Sequence, residues 1–338
     1  MQQLSIPSLV ARAPQMSGTE IAASLVPPRQ FESATLDNYR PDPDYPSQAH
    51  AVARVRAFVA SWGAGSGGGL FGRRKAPATK PGLYLDGGFG VGKTHLLAAL
   101  WKLAPGRKYF GTFIEYTALV GALGYEPTLK LLTGASLLAI DEFELDDPGD
   151  TMMMSRLLKQ LTESGTRIAA TSNTPPNALG EGRFAASDFL REIQAIADRF
   201  EIIRIDGLDY RHRELEGHAV ALDEAQFASE LAAASSLGGV TVDDFAAVLK
   251  HLATVHPSRY VKLVEGLDAI GLRDVRVFTD QSDALRFVAL VDRLYDAQVR
   301  VLATGIPIDT VFPEDMLAGG YRKKYLRAVS RLMALTGA

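Results

Sequence analysis

The sequence predicts an α/β protein, a three-layer sandwich around a parallel sheet, with a phosphate-binding loop in its first half and a helix-rich C-terminal lid domain. Three observations predict it. Short apolar runs alternate with helical patterns through the first two hundred residues. One run, Gly82-Leu-Tyr-Leu-Asp86, leads directly into Gly87-Gly88-Phe89-Gly90-Val91-Gly92-Lys93-Thr94, a complete G-x-x-x-x-G-K-T, and then a helix over His95–Trp101. Another, Ser136-Leu-Leu-Ala-Ile140, ends in the acidic pair Asp141-Glu142.

The strand–loop–helix order gives the glycine-rich segment its meaning. Backbone N–H groups unobstructed by Cβ atoms can all point at phosphate oxygens, and the positive end of the following helix adds to the attraction. Residues Gly87 to His95 are therefore the expected cofactor-binding segment. Lys93 is placed to reach the β- and γ-phosphates and Thr94 to ligate Mg²⁺. The expected ligand is a nucleoside triphosphate. ATP is favoured over GTP because no Asn-Lys-x-Asp guanine motif is present.

The acidic pair supplies the second half of such a site. An acid at the carboxyl end of a buried parallel strand lies beside the phosphate loop, where Asp141 can hold magnesium and Glu142 can polarise a water. That pairing points to hydrolysis rather than transfer to a second substrate. A third apolar run, Thr166-Arg-Ile-Ala-Ala-Thr-Ser172, ends in Asn173 and Thr174-Pro175-Pro176. Asn173 is a candidate to orient the water or touch the γ-phosphate; the competing reading is that it only starts the turn the prolines require.

The other elements follow in order. Gln48–Trp62 has helical spacing, with Ala51, Val52, Val55, Phe58 and Val59 on one stripe. A strand is expected over Lys108–Thr117, helices near Met152–Glu163 and Asp188–Arg199, and a strand over Glu201–Ile205. Beyond Asp206 the pattern changes. Helices are expected near 222–235, 241–254, 258–269, 282–296 and 320–335, with strands at Val275–Phe278 and Val299–Leu302. The domain expectation is a loosely ordered lead-in over 1–44, a nucleotide-binding domain over 45–206 and the C-terminal domain over 207–338.

Composition narrows the class. A chain of 338 residues with 47% apolar residues can bury two cores, and a net charge of −3 gives no general affinity for nucleic acid or anionic membrane. There is no cysteine, which excludes disulfides and thiolate metal sites, and the six histidines contain no H-x-x-x-H pair. No apolar run is long enough to span a bilayer, and residues 1–30 show no secretory signal, so a cytoplasmic location is expected.

The motif string now supports a family resemblance. Gly-Leu-Tyr-Leu before the loop, Leu-Leu-Ala-Ile-Asp-Glu-Phe, Ala-Thr-Ser-Asn-Thr-Pro-Pro and Asp209-Tyr210-Arg211 resemble the ZapE-type ATPases of the AAA+ class, which have mitochondrial relatives. Phe287–Tyr295 and Arg327–Leu332 continue the likeness, and Pro46-Ser-Gln48 is similar to the family's entry motif, so it runs from about residue 45 to the C-terminus. The resemblance implies an ATP-hydrolysing, homo-oligomeric ring, a hexamer among the sizes, that remodels or chaperones protein clients. In bacteria those clients centre on cell division and its FtsZ polymer. It also implies an arginine offered to a neighbouring subunit's nucleotide: Arg183 in Gly-Arg-Phe is the first candidate, with Arg191 and Arg199 behind it. Arg327 and Arg331 share one face of the last helix and are candidates to reach the nucleotide, against a plain solvated helix. The sequence departs from the family at Ala186 and Arg191, and between Pro105 and Gly134. The alternative reading is a helicase-loader or initiator-type ATPase acting with DNA. The acidic balance and the lack of a recognisable DNA-reading module argue against it, so no stable nucleic-acid partner is expected.

Overall fold

The computed structural model describes residues 7–62, 80–145, 148–179, 190–208, 218–236 and 238–337. They fall into two compact units. One contains Ser17–Pro27 and the described residues of Phe31–Tyr210; the other contains the described residues of Met1–Met16, Pro28–Gln30 and Arg211–Ala338.

The first unit holds the phosphate loop. Its elements are α1 (Gly18–Ala23), α2 (Pro46–Ala60), β1 (Gly82–Gly87), α3 (Lys93–Leu103), β2 (Lys108–Thr112), α4 (Phe113–Leu123), α5 (Tyr125–Leu132), β3 (Leu137–Asp141), α6 (Pro148–Glu163), β4 (Arg167–Ser172), α7 (Leu190–Ala197) and β5 (Phe200–Ile205). The strands pair in the order β2-β3-β4-β1-β5, all parallel. β1 and β3 are buried along their whole length, which is why they read as unbroken apolar runs rather than alternating ones. Leu83 and Leu85 pack with Leu96, Leu97 and Leu100 of α3 and with Ala51, Val55 and Phe58 of α2. Tyr84 meets Phe143 and Phe200 edge to face at 6.2 and 5.5 Å. Each such side chain, taken from water, contributes roughly 1.5–3 kcal/mol.

Two expectations for this unit differ from what is found. The strand expected over Lys108–Thr117 stops at Thr112, where a helix starts instead. Thr112 and Glu115 form a reciprocal capping box there, satisfying backbone N–H groups that a strand would have left to an edge. The segment expected to be a loose lead-in is also ordered. Ile21, Leu25, Leu36 and Tyr39 are buried, and the Phe110 N–H on edge strand β2 donates to Leu25 O at 2.9 Å.

The second unit is helix-rich, as expected, and carries a sheet of its own. It comprises α8 (Glu224–Ser235), β6 (Val240–Asp244), α9 (Phe245–Leu252), α10 (Tyr260–Leu263), β7 (Ala269–Val275), α11 (Gln281–Asp296), β8 (Arg300–Gly305), α12 (Glu314–Ala318) and α13 (Arg322–Thr336). β6, β7 and β8 form a parallel three-stranded sheet in that order. The helix expected over 241–254 therefore begins only after β6, where the Asp244 carboxylate accepts from Ala247 N and caps α9. Over 258–269 the chain makes only a 3-10 turn (Pro257–Arg259) and the four-residue α10 before β7, and the strand expected at Val275–Phe278 lies one segment earlier.

The start of the chain belongs to this second unit. Leu9 is 1% exposed within a core that includes Phe245, Leu252, Tyr260 and Leu272. Val242 N donates to Pro7 O, and Asp243 accepts from Leu9 N at 2.7 Å and from the Ser8 hydroxyl. The Arg12 guanidinium donates to Leu263 O and Glu265 O at 2.8 and 2.9 Å. An N-terminal strap is thus stitched to residues more than two hundred positions away.

Candidate nucleotide-binding and catalytic site

The phosphate loop occupies the turn from β1 into α3 and needs its glycines for stated reasons. Gly90 and Gly92 have φ of 67° and 82°, in the left-handed region. A Cβ on Gly87 would lie 2.3 Å from Ile205 O, and one on Gly92 would lie 2.4 Å from the Tyr39 ring. Tyr39 holds the loop from outside by donating from its hydroxyl to Val91 O at 2.7 Å. Burial pushes that phenol up to about 12, so it remains a neutral donor at physiological pH. Gly92→Ala should therefore destabilise the unit by at least ~1–2 kcal/mol, since a left-handed φ and a displaced ring both count against it. Denaturant unfolding followed by tryptophan fluorescence checks this; an unchanged midpoint would contradict it.

The side chains converge at the carboxyl ends of β1, β3 and β4. Lys93 Nζ donates to Gly87 O at 2.8 Å, to Gly88 O, and to Asn173 Oδ1 at 2.8 Å. The Thr94 hydroxyl lies 3.1 and 3.2 Å from the two Asp141 oxygens, and Asp141 is only 7% exposed. Lys93 and Thr94, from the first turn of α3, thus meet groups from two other strands. β4 lies between β1 and β3, so its end reaches the lysine on one side and the acids on the other. Asn173, which sequence reasoning left between a site role and a turn, touches the loop lysine directly.

One residue of this cluster was missed. Thr171 is 1% exposed at the end of β4; its hydroxyl donates to Asp141 Oδ1 and accepts from Glu142 N at 3.1 Å. Thr171 O also accepts from Phe143 N at 2.7 Å. Glu142 sits between those anchors with φ of 53°, an uncommon conformation for a residue with a side chain. The available signal was the period-2 spacing of Thr171 and Asn173, which puts both on one side of the strand.

The chemistry of this arrangement is specific. The loop N–H groups and Lys93 can cradle a polyphosphate. Thr94 and Asp141 form a hard, all-oxygen donor pair at the loop's edge, which suits Mg²⁺, an ion that takes few protein ligands and keeps several waters. Glu142 follows Asp141 directly and can serve as a base.

The remaining candidates divide. The His95 ring has Nε2 2.8 Å from Thr35 O and lies edge-on to Tyr39, the residue that braces the loop. Arg183 lies outside the described residues, as does Arg211. Arg191 is exposed on α7, and Arg199 donates to the Thr162 hydroxyl at 3.0 Å. Arg167 is a packing residue: it donates to Phe58 O and Ser61 O at 3.0 Å and stacks over Phe58 and Trp62. Arg327 and Arg331 are largely buried rather than solvated. Both donate to Asp292 of α11 within the second unit.

Comparisons with known proteins identify a family and several relatives. The AFG1-like ATPase family profile matches residues 16–237 and 223–338. Among curated relatives, the Escherichia coli K12 cell division protein ZapE is 29% identical over 310 residues, covering 79% of this chain and 82% of its own. The Danio rerio lactation elevated protein 1 homolog B is 22% identical over 299 residues, covering 72% of this chain and 59% of its own. Among solved structures, DnaI shares 22% identity over 54% of this chain and 98% of that chain, at a TM-score of 0.40.

Proposed function

The chain belongs to the AFG1-like ATPase family, and on that premise we propose that it hydrolyses ATP to ADP and phosphate as an oligomeric AAA+ ATPase acting on protein partners. The observation that carries the reading is the meeting of Lys93, Thr94, Asp141 and Asn173 at one end of the parallel sheet, with Glu142 adjoining.

In this reading the Gly88–Thr94 backbone and Lys93 bind the β- and γ-phosphates, and Lys93 exchanges its carbonyl contacts for phosphate oxygens. Thr94 and Asp141 hold Mg²⁺, which when bound neutralises charge on those oxygens. Glu142 takes the proton of the attacking water, and Asn173 orients that water or the γ-phosphate. A neighbouring subunit supplies an arginine, with Arg183 the first candidate and Arg191 and Arg199 next. The relative that is named a cell division protein supports a division-linked role; a partner such as the FtsZ polymer is what the family resemblance implies.

An arginine supplied in trans has a measurable signature. Turnover per subunit should rise with protein concentration, by tenfold or more between dissociated and assembled samples. The rate would be measured across a dilution series beside sedimentation of the ATP-bound protein. A constant specific activity in a demonstrably monomeric sample removes the ring from this account.

A further inference from the structure

We propose that Thr171 is a positioning residue that sets both acids of the site through a single hydroxyl; the inference rests on the ATP-hydrolysis reading of that site. A hydroxyl has one hydrogen and two lone pairs. The Glu142 N–H has only a hydrogen to offer, so toward Glu142 the Thr171 oxygen must accept, at 3.1 Å. Its one hydrogen is then committed to Asp141 Oδ1, which as a carboxylate can only accept. The same oxygen therefore orients the residue that holds the cation and pins the backbone of the residue that follows it. The bond to Asp141 is buried and the one from Glu142 N half-buried, so exchange with water competes little.

The pinned backbone is the strained one. Glu142 has φ of 53°, and a residue in that region persists only where its surroundings over-determine it. Thr171 supplies two such restraints, its hydroxyl to Glu142 N and its carbonyl to Phe143 N at 2.7 Å. The carbonyl survives any substitution; the hydroxyl does not. Losing it removes one of the groups that orient Asp141 Oδ1 and leaves the Glu142 N–H without this acceptor, so the cation site and the base loosen together. Thr94, which meets the same carboxylate from the loop side, stays in place and leaves phosphate binding intact.

The test is Thr171→Val, which keeps the β-branched shape and removes the hydroxyl, with Thr171→Ser restoring it. Supporting groups of this kind typically change metal affinity or activity by about 10–100-fold. The expected result for Thr171→Val is a kcat lower by that factor, with ATP affinity in EDTA within about twofold of the wild type. Binding of a fluorescent ATP analogue should also need at least ~10-fold more Mg²⁺ to tighten, a readout independent of turnover. Thr171→Ser should recover both properties. The inference is overturned if the valine protein matches the wild type in both readouts. It is equally overturned if serine is as impaired as valine, which would assign the effect to the lost methyl. If the valine protein does not fold, Thr171→Ala is judged on the same criteria. Wild type and Glu142→Gln are assayed alongside: a wild type without ATPase activity refutes the function itself, whereas an active wild type with an unaffected Thr171→Val refutes only the role of Thr171.

Discussion

Lys93→Ala is expected to abolish tight ATP binding, while Glu142→Gln keeps ATP and stops turnover. The two substitutions separate ground-state binding from chemistry. Lys93 already gathers three acceptors, Gly87 O, Gly88 O and Asn173 Oδ1, at the point where phosphate oxygens would enter. Charge-assisted hydrogen bonds are each worth about 1.5–3 kcal/mol, so losing the ammonium should weaken ATP by roughly 3 kcal/mol or more, over 100-fold in Kd. Glu142→Gln keeps the shape and the backbone bond to Thr171 but has no basic oxygen. The loss of a general base typically costs roughly 10²–10⁴ in rate. Equilibrium binding and single-turnover hydrolysis on the two folded variants decide the matter. Equal loss of ATP affinity in both would remove Glu142 from the role of base.

Asp292→Ala should produce the largest loss of stability, and only in the second unit. Asp292 on α11 accepts from Arg327 at 2.7 Å and from Arg331, both on α13, and all three side chains are at most 15% exposed. Removing the shared carboxylate leaves two guanidinium groups buried together, a change that typically costs about 3–5 kcal/mol. The two tryptophans, Trp62 and Trp101, both lie in the phosphate-loop unit, so their fluorescence does not report on this change. Far-UV circular dichroism or amide exchange of α11 and α13 should shift to lower denaturant while the tryptophan transition stays put. Coincident shifts by both probes would contradict a local effect. Acid should mimic the substitution. Burial alone would raise the Asp292 carboxyl, but Arg327, Arg331 and Arg293 together hold it below the usual carboxylate range. A depressed carboxyl stabilises the fold above its unfolded pKa of roughly 4 and loses that contribution as pH falls through the folded value. The second unit should therefore weaken below about pH 4.

What was legible in the sequence follows from which residues advertise their role locally. The phosphate loop, the β3 acids and Asn173 were legible because each combines a buried strand with a special residue at its end. The end of β2 was not, because Tyr109-Phe-Gly-Thr-Phe-Ile114 is apolar across the boundary and masks the change of period. The Thr112-x-x-Glu115 box was the available marker. The small sheet of the second unit was hidden similarly, since β6 runs straight into α9 and Asp244 is the only punctuation. Asp292 could not be found at all from local pattern, and Thr171 only through its period-2 spacing from Asn173. Their partners come from other elements, 30 residues away for Thr171 and Asp141, and 35 and 39 for Asp292 and its arginines.

The N-terminal strap has a consequence for how the protein is made. Ser8 and its acceptor Asp243 are 235 residues apart, so the strap leaves the ribosome long before the unit it completes exists. At 5–20 residues per second that interval is roughly 10–50 s. During it Leu9 has no core to enter, while the strands from β1 to β5 emerge and can close on themselves. Synthesis thus favours an order in which the inserted unit folds first and the beginning of the chain is recruited last. A nascent chain stalled before β6 should bind nucleotide yet leave residues 7–16 open to protease.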